Sequence, residues 1–208
     1  MYVIGLTGGI GSGKSTVAQM LADKGAVLLS ADAAGHEVYA PGQPAWQEIV
    51  DAFGRDVVAA DGTIDRKKLG AIVFADPAEL QRLNAITHPR MRELMRGKLE
   101  AEASRGTRVA VLEAALLFDA GWDDLTDEVW VTRAPPEVAA RRTAERSGLS
   151  LEEARARIDA QMSSDERVAR SRVVVNTDCP LEETRRQVGV EWRRLIERLE
   201  TPSARSGV

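Results

Sequence analysis

The segment Gly5-Leu6-Thr7-Gly8-Gly9-Ile10-Gly11-Ser12-Gly13-Lys14-Ser15-Thr16 constrains this chain more than any other. Glycine costs backbone entropy wherever it is ordered, so this density means that backbone must come close to something. The apolar run Tyr2-Val3-Ile4 precedes it and reads as a buried strand. A helical pattern follows, with Val17, Met20 and Leu21 on one face and Gly25 ending it. Gly8-x-x-x-x-Gly13-Lys14-Ser15 is therefore a complete phosphate-binding loop pattern in its required strand–loop–helix context. A loop curled around an anion aims its N–H groups inward, and the helix behind it adds a positive N-terminus. Lys14 supplies a mobile charge for the β- and γ-phosphates, and the Ser15 hydroxyl suits Mg²⁺. Gly11, Ser12, Gly13, Lys14, Ser15 and Thr16 are the candidate residues for holding a nucleoside triphosphate.

Length and charge narrow what such a loop can serve. The 208 residues fit one α/β domain with small insertions, or at most two compact lobes. A net charge of −4 argues against a general nucleic-acid binder. Arginines nevertheless cluster between Arg133 and Arg172. That cluster suits a small polyanionic ligand, with solvated helix faces as the plainer reading. The single cysteine, Cys179, forbids a disulfide within the chain and is given no chemical role. With two histidines and that one cysteine far apart, no protein-ligated zinc site is expected. No apolar run approaches the ~20 residues of a membrane span, and no signal-peptide pattern opens the chain, so a cytoplasmic protein is expected.

Apolar strands alternate with helical segments: Tyr2–Leu6, Ala26–Leu29, Val109–Leu112 extending irregularly to Phe118, Glu128–Thr132 and Val173–Val175. The expected fold is α/β, a parallel β-sheet flanked by helices that binds its ligand at the carboxyl ends of the strands. Residues 45–106 break this rhythm. Trp46, Ile49, Val50 and Phe53, then Leu69, Ile72 and Val73, then Leu80, Leu83 and Ile86, then Met91, Leu94, Met95 and Leu99 all fall at helical spacing. They read as short helices forming an insertion. Pro135-Pro136 opens a helix to about Arg146. Ser150 to Glu153 is a capping-box pattern that starts another, to about Met162. Leu181–Leu199 is the last helix, and residues 201–208 read as a frayed tail.

A phosphate-binding loop fixes the donor and leaves the reaction open. Asp32-Ala33-Ala34-Gly35 is formally a GTPase D-x-x-G, but it follows Ser15 too closely for a switch region. Asn176-Thr177-Asp178 lacks the lysine of a guanine-reading motif. A motor ATPase should carry a strand ending in two acidic residues, whereas Val109–Glu113 ends in one. Glu113 reads equally as a water-mediated Mg²⁺ contact or as a structural carboxylate. A small-molecule kinase fits better: a short core, a helical acceptor-binding insertion and an arginine-bearing lid, in that order.

Several motifs resemble the dephospho-coenzyme A kinase family: IGLTGGIGSGKSTV at 4–17, SADAAGHEVY at 30–39, THPRMR at 87–92, LLFDAGWDDLTDEVWVT at 116–132 and RTAERSGLSLEEARARIDAQM at 142–162. The likeness covers about residues 2–199. It implies transfer of the ATP γ-phosphoryl group to the ribose 3′-hydroxyl of dephospho-CoA. It also implies a core of about 1–31, 107–134 and 171–200, a CoA-binding insertion of about 32–106 and a lid of about 135–165. By the same resemblance Asp32 is the catalytic base, with an N-cap as its bland alternative, and Lys14 and Arg142 act on the transferring group. Arg142 and Arg146 share a helix face and meet ATP phosphates; Asp32, His88, Leu116, Arg157 and Gln161 belong to the acceptor site. His88 has a local alternative, capping a helix that starts near Pro89. ATP and Mg²⁺ are the implied cofactors, and Ser15 is the metal contact. ATP and dephospho-CoA are the implied partners, without nucleic acid or membrane, for a monomer or weak homo-oligomer. The remaining readings are another small-molecule kinase, acting on a nucleoside monophosphate, shikimate or gluconate, and a non-catalytic nucleotide-binding regulator.

The chain departs from the family pattern in three places. Ala115-Leu116-Leu117-Phe118-Asp119 stands where P-L-L-F-E is usual, Arg170-Ser171 stands for A-D, and Asn176-Thr177-Asp178 for N-x-G. These leave the roles of Asp119 and of the loop at Asn176 open. They do not touch Lys14, Ser15 or Asp32.

Overall fold

A computed structural model describes residues 1–201. The expected frayed tail, from residue 202 on, lies outside the described residues. Five strands, β1 (Tyr2–Thr7), β2 (Val27–Ser30), β3 (Val109–Glu113), β4 (Glu128–Arg133) and β5 (Val173–Asn176), form one parallel sheet in the order β2-β3-β1-β4-β5. Its central strands are continuous apolar runs because helices cover both faces. β1 pairs with β3 from Tyr2↔Val109 to Leu6↔Glu113, and with β4 from Ile4↔Glu128 to Thr7↔Val131. This register brings Thr7, Glu113 and Thr132 to one carboxyl edge, the edge from which the glycine loop leaves β1.

The chain divides into two compact units. The first comprises Met1–Leu28 and the chain from Arg108 onward. Its core gathers Ile4, Leu6, Val17, Leu21, Val111, Trp130, Val188 and Leu195, from the strands, from α1 (Lys14–Ala22) and from the closing helix, Leu181–Glu200. The one acid buried at the opposite end of β4, Glu128, is held by Arg198 at 2.6 Å, Arg172 at 3.2 Å, the Tyr2 hydroxyl at 3.0 Å and Trp130 Nε1 at 2.8 Å. A buried charge persists only with such partners.

The second unit, Leu29–Thr107, is helical. It contains α2 (Ala31–Val38), α3 (Pro44–Phe53), α4 (Arg66–Val73) and α5 (Pro77–Ser104). Ile49, Val50, Val57, Ile64, Leu69 and Val73 form its core, with Leu80, Leu83 and Ile86 of α5 packed on them.

Four details differ from the sequence expectation. The segments at Leu80–Ile86 and Met91–Leu99 are one helix of 28 residues with Pro89 inside it, so His88 starts no helix. Pro89 removes one N–H and a bond to the preceding turn. The helix continues because apolar side chains on both sides of the proline are covered, Leu83 and Ile86 before it and Met91, Met95 and Leu99 after it. The cap of α2 is Ser30, whose hydroxyl accepts from the Ala33 amide, and Asp32 sits in the first turn instead. No strand continues past Glu113: the Ala114 amide makes a last bond to Leu6, and the chain then coils through Ala120→Leu116. Finally, α7 (Leu151–Asp159) ends before Met162, because a separate short helix, α8 (Ser164–Ala169), begins just beyond with its own capping box, Ser163 to Glu166. That S-x-x-E signature was present in the sequence.

Candidate active site

The glycine loop is shaped by contacts that only hydrogen permits. A Cβ on Gly8 would lie 2.1 Å from Thr132 Oγ1, and one on Gly11 would lie 2.3 Å from the Ala139 carbonyl. Gly11 and Gly13 also have φ of 75° and 80°, where a side chain is strained. Gly13 caps α1 in that left-handed conformation, and α1 starts at Lys14. The loop's N–H groups divide by use. The Ser12 amide bonds within the loop to Gly9, and the Ile10 amide donates to Gln161 Oε1 at 2.9 Å. The amides of Gly9, Gly11, Gly13 and Ser15 take no bond among the described residues, so they are donors open to an anion.

Ser12 contributes differently from its neighbours. Its side chain is buried and shares a 2.7 Å hydrogen bond with Thr132. Its carbonyl accepts from the Thr177 hydroxyl at 2.8 Å. Two threonines, one at the end of β4 and one just past β5, thus fasten the loop to the sheet edge. Neither was singled out in the sequence; position at a carboxyl strand end was the available signal.

Lys14 Nζ lies 2.9 Å from Glu113 Oε1, with both side chains about nine-tenths buried. The Leu6↔Glu113 register is what puts that carboxylate beside the loop. Ser15 and Thr16, opening α1, are exposed.

Arg142 lies on α6 (Pro136–Ser147). Its Nη2 donates to the Thr177 carbonyl at 2.8 Å and its Nη1 to the Thr177 hydroxyl at 3.3 Å. The guanidinium is thereby tied to the residue that holds Ser12. Gly13, Thr16, Arg142, Thr177, Cys179 and Leu181 line a cavity of about 280 Å³. Cys179, given no role from sequence, is part of this wall. Arg146 sits exposed in the last turn of α6, and Arg157 is exposed in the last turn of α7. Leu116 is 38% exposed in the coil after β3. Asp32 and His88 belong to the helical unit: Asp32 exposed in α2, His88 half-buried in α5. The geometry therefore gathers Gly11–Thr16, Arg142 and Gln161 around one loop in the first unit. It leaves Arg146 and Arg157 on the surface.

A residue that sequence reading missed stands at the other end of the loop. Arg167, from α8, is 3% exposed, and a Cβ on Gly9 would lie 3.4 Å from its Nη1.

The model of the dephospho-CoA kinase family matches residues 2–183. The chain belongs to that family. A dephospho-CoA kinase from Moorella thermoacetica is 46% identical over 96% of this chain and 94% of its own length. A crystal structure of a Thermus thermophilus protein is similar with TM-score 0.77 and 36% identity, over 93% of this chain and 97% of that one. The dephospho-CoA kinase structure from Campylobacter jejuni follows at TM-score 0.71 and 25% identity, over 94% and 97%. The activity is that of a dephospho-CoA kinase, a phosphotransferase that carries out the last step of coenzyme A biosynthesis with ATP as donor.

Proposed function

We propose that Lys14, Arg142 and Asp32 divide the transfer of the ATP γ-phosphoryl group to the ribose 3′-hydroxyl of dephospho-CoA. The observation that carries this reading is the loop itself: amides of Gly11 and Gly13 available, Lys14 poised on Glu113, and Arg142 fixed to Thr177 beside it. Phosphoryl transfer passes through a loose transition state, so catalysis is mostly positioning and charge stabilisation. Lys14 moves from Glu113 to the phosphates, and Arg142 offers planar donors to oxygens whose charge spreads as the bond breaks.

Asp32 orients the acceptor hydroxyl and takes its proton late, when the oxygen has become acidic. A carboxylate is a weak base for an alcohol, so geometry outweighs basicity. Because Ser30 supplies the cap of α2, that duty does not account for Asp32. His88, Leu116, Arg157 and Gln161 are assigned to the acceptor side by the family pattern. Residues of about 135–165 act as a lid that excludes competing water.

No group of three or more His, Cys, Asp or Glu among the described residues could hold a metal ion on its own. That fits Mg²⁺, which binds mainly through substrate phosphates with one or two protein oxygens. The Ser15 hydroxyl, with Glu113 behind it through water, would hold the ion, whose charge screens the phosphate oxygens. We place the enzyme in the cytoplasm, as a monomer or weak homo-oligomer. No helix among the described residues is long and apolar enough to cross a membrane.

ADP release measured with ATP, Mg²⁺ and dephospho-CoA, against nucleoside monophosphates, shikimate and gluconate, tests the reading. Turnover confined to dephospho-CoA, with 3′-phosphorylated product by chromatography, is expected. Turnover with another acceptor and none with dephospho-CoA overturns it.

A further inference from the structure

We infer that Arg167 binds the terminal phosphoryl group of the nucleotide at the Gly9 end of the loop, as a third cationic contact beside Lys14 and Arg142. Arg167 is 3% exposed, yet only Nη1 has a partner, the Met162 carbonyl. Nε and Nη2 are buried without a hydrogen-bond partner among the described residues, and Arg167 makes no ion pair there. A guanidinium stays charged throughout the accessible pH range, so it cannot escape burial by losing its proton. Leaving charged donors unmet in a low-dielectric site is expensive, and native structures tolerate it where a ligand completes the set.

The surroundings say which ligand. Arg167 lines a cavity of about 260 Å³ with Gly9, Ile10, Ser12, Thr132 and Gln161. The absent side chain of Gly9 is what opens the approach: a Cβ there would stand 3.4 Å from both Arg167 Nη1 and Gln161 Oε1. Gln161 in turn holds the Ile10 amide, so the segment leading into α8 is tied to the loop. Burial lowers the guanidinium pKa, and the carboxylates of Asp119 and Glu166 push it back up. Neither acid forms an ion pair with it. An oxyanion that offers two acceptor atoms to Nε and Nη2 matches this geometry. The loop runs from Gly9, beside Arg167, to Gly13 at the start of α1, and a phosphate chain lying along it presents its last group to Arg167 at the Gly9 end.

This inference rests on the phosphotransfer reading above, and binding separates the two. Arg167→Ala and Arg167→Met, the second keeping most of the side-chain volume, are compared with wild type by calorimetric titration of ADP and of a non-hydrolysable ATP analogue, each with Mg²⁺. The expected result is ADP affinity within about twofold of wild type, analogue affinity reduced about tenfold or more, and kcat reduced about a hundredfold. Added methylguanidine should restore part of the turnover of Arg167→Ala and none in wild type. Equal losses for ADP and analogue, or turnover within about threefold of wild type, overturn the assignment and leave Arg167 a packing residue. Should Arg167→Ala not fold, the two affinities of Arg167→Met decide alone. A wild-type protein that binds both nucleotides but phosphorylates no dephospho-CoA refutes the phosphotransfer reading without touching the binding comparison.

Discussion

The Lys14 ammonium donates to the Glu113 carboxylate at 2.9 Å, across a sheet edge that brings together residues 99 positions apart in the chain. The pair gives the lysine a resting place and gives the buried acid a counter-charge. Lys14→Ala should therefore cost twice. Turnover and triphosphate affinity should each fall about a hundredfold or more. The protein should also lose about 1–3 kcal/mol as Glu113 loses a buried partner. Adding Glu113→Gln should recover melting temperature and leave turnover lost. A Lys14→Ala variant with wild-type ATP affinity would remove the loop from the mechanism.

Asp32→Asn keeps the size of the side chain and removes the base. ATP affinity should stay within about twofold, and kcat should fall by about 10²–10⁴, the range for general-base catalysis. Titration calorimetry beside a steady-state assay checks both. Near-normal turnover would take Asp32 out of the chemistry.

Two glycines with positive φ should respond differently to alanine. At Gly25, φ is 96° and an added Cβ meets nothing within 4 Å, so only left-handed strain remains, about 1–2 kcal/mol. At Gly11 the same strain comes with a 2.3 Å clash against the Ala139 carbonyl. The loop must move, and triphosphate affinity should drop about tenfold or more. Thermal melts with nucleotide titrations distinguish the two: Gly25→Ala should bind normally.

The capping boxes that open α7 and α8 carry a pH dependence of known sign. The Ser150 amide and hydroxyl hold the Glu153 carboxyl below its ordinary value, and the Ser163 hydroxyl and amide do the same for Glu166. A carboxylate whose folded pKa is depressed stabilises the fold above its unfolded value, here about 4.5, and that contribution fades as pH falls through the lower folded value. Protection factors at the first turns of α7 and α8, taken against the intrinsic exchange rate at each pH, should therefore fall below about pH 4.5. Glu166→Gln should abolish the change at α8 alone, and an unchanged profile in that variant would refute the assignment.

Much of this was legible because it is local. An apolar run, a glycine-rich loop and an amphipathic helix state their conformations within twenty residues, and the box at Ser150 was readable letter by letter. The equally plain box at Ser163 is harder to separate, because it begins only four residues after α7 ends at Asp159 and the helical pattern from Ser150 runs on almost to it. Pro89 misled for a physical reason: a proline ends a helix unless tertiary packing on both sides outweighs one lost hydrogen bond, and only the packed structure reveals Met95 and Leu99 as buried.

The sequence by itself determined the parallel sheet, the phosphate-binding loop and, through its motifs, the kinase family, because backbone conformation and side-chain chemistry there depend on near neighbours. Tertiary structure alone decided that Thr132 and Thr177 fasten the loop, that Glu113 receives Lys14, and that Arg167 is buried with two nitrogens unmet. Those facts follow from strand register and from which helix end arrives at which strand, and no local pattern encodes either.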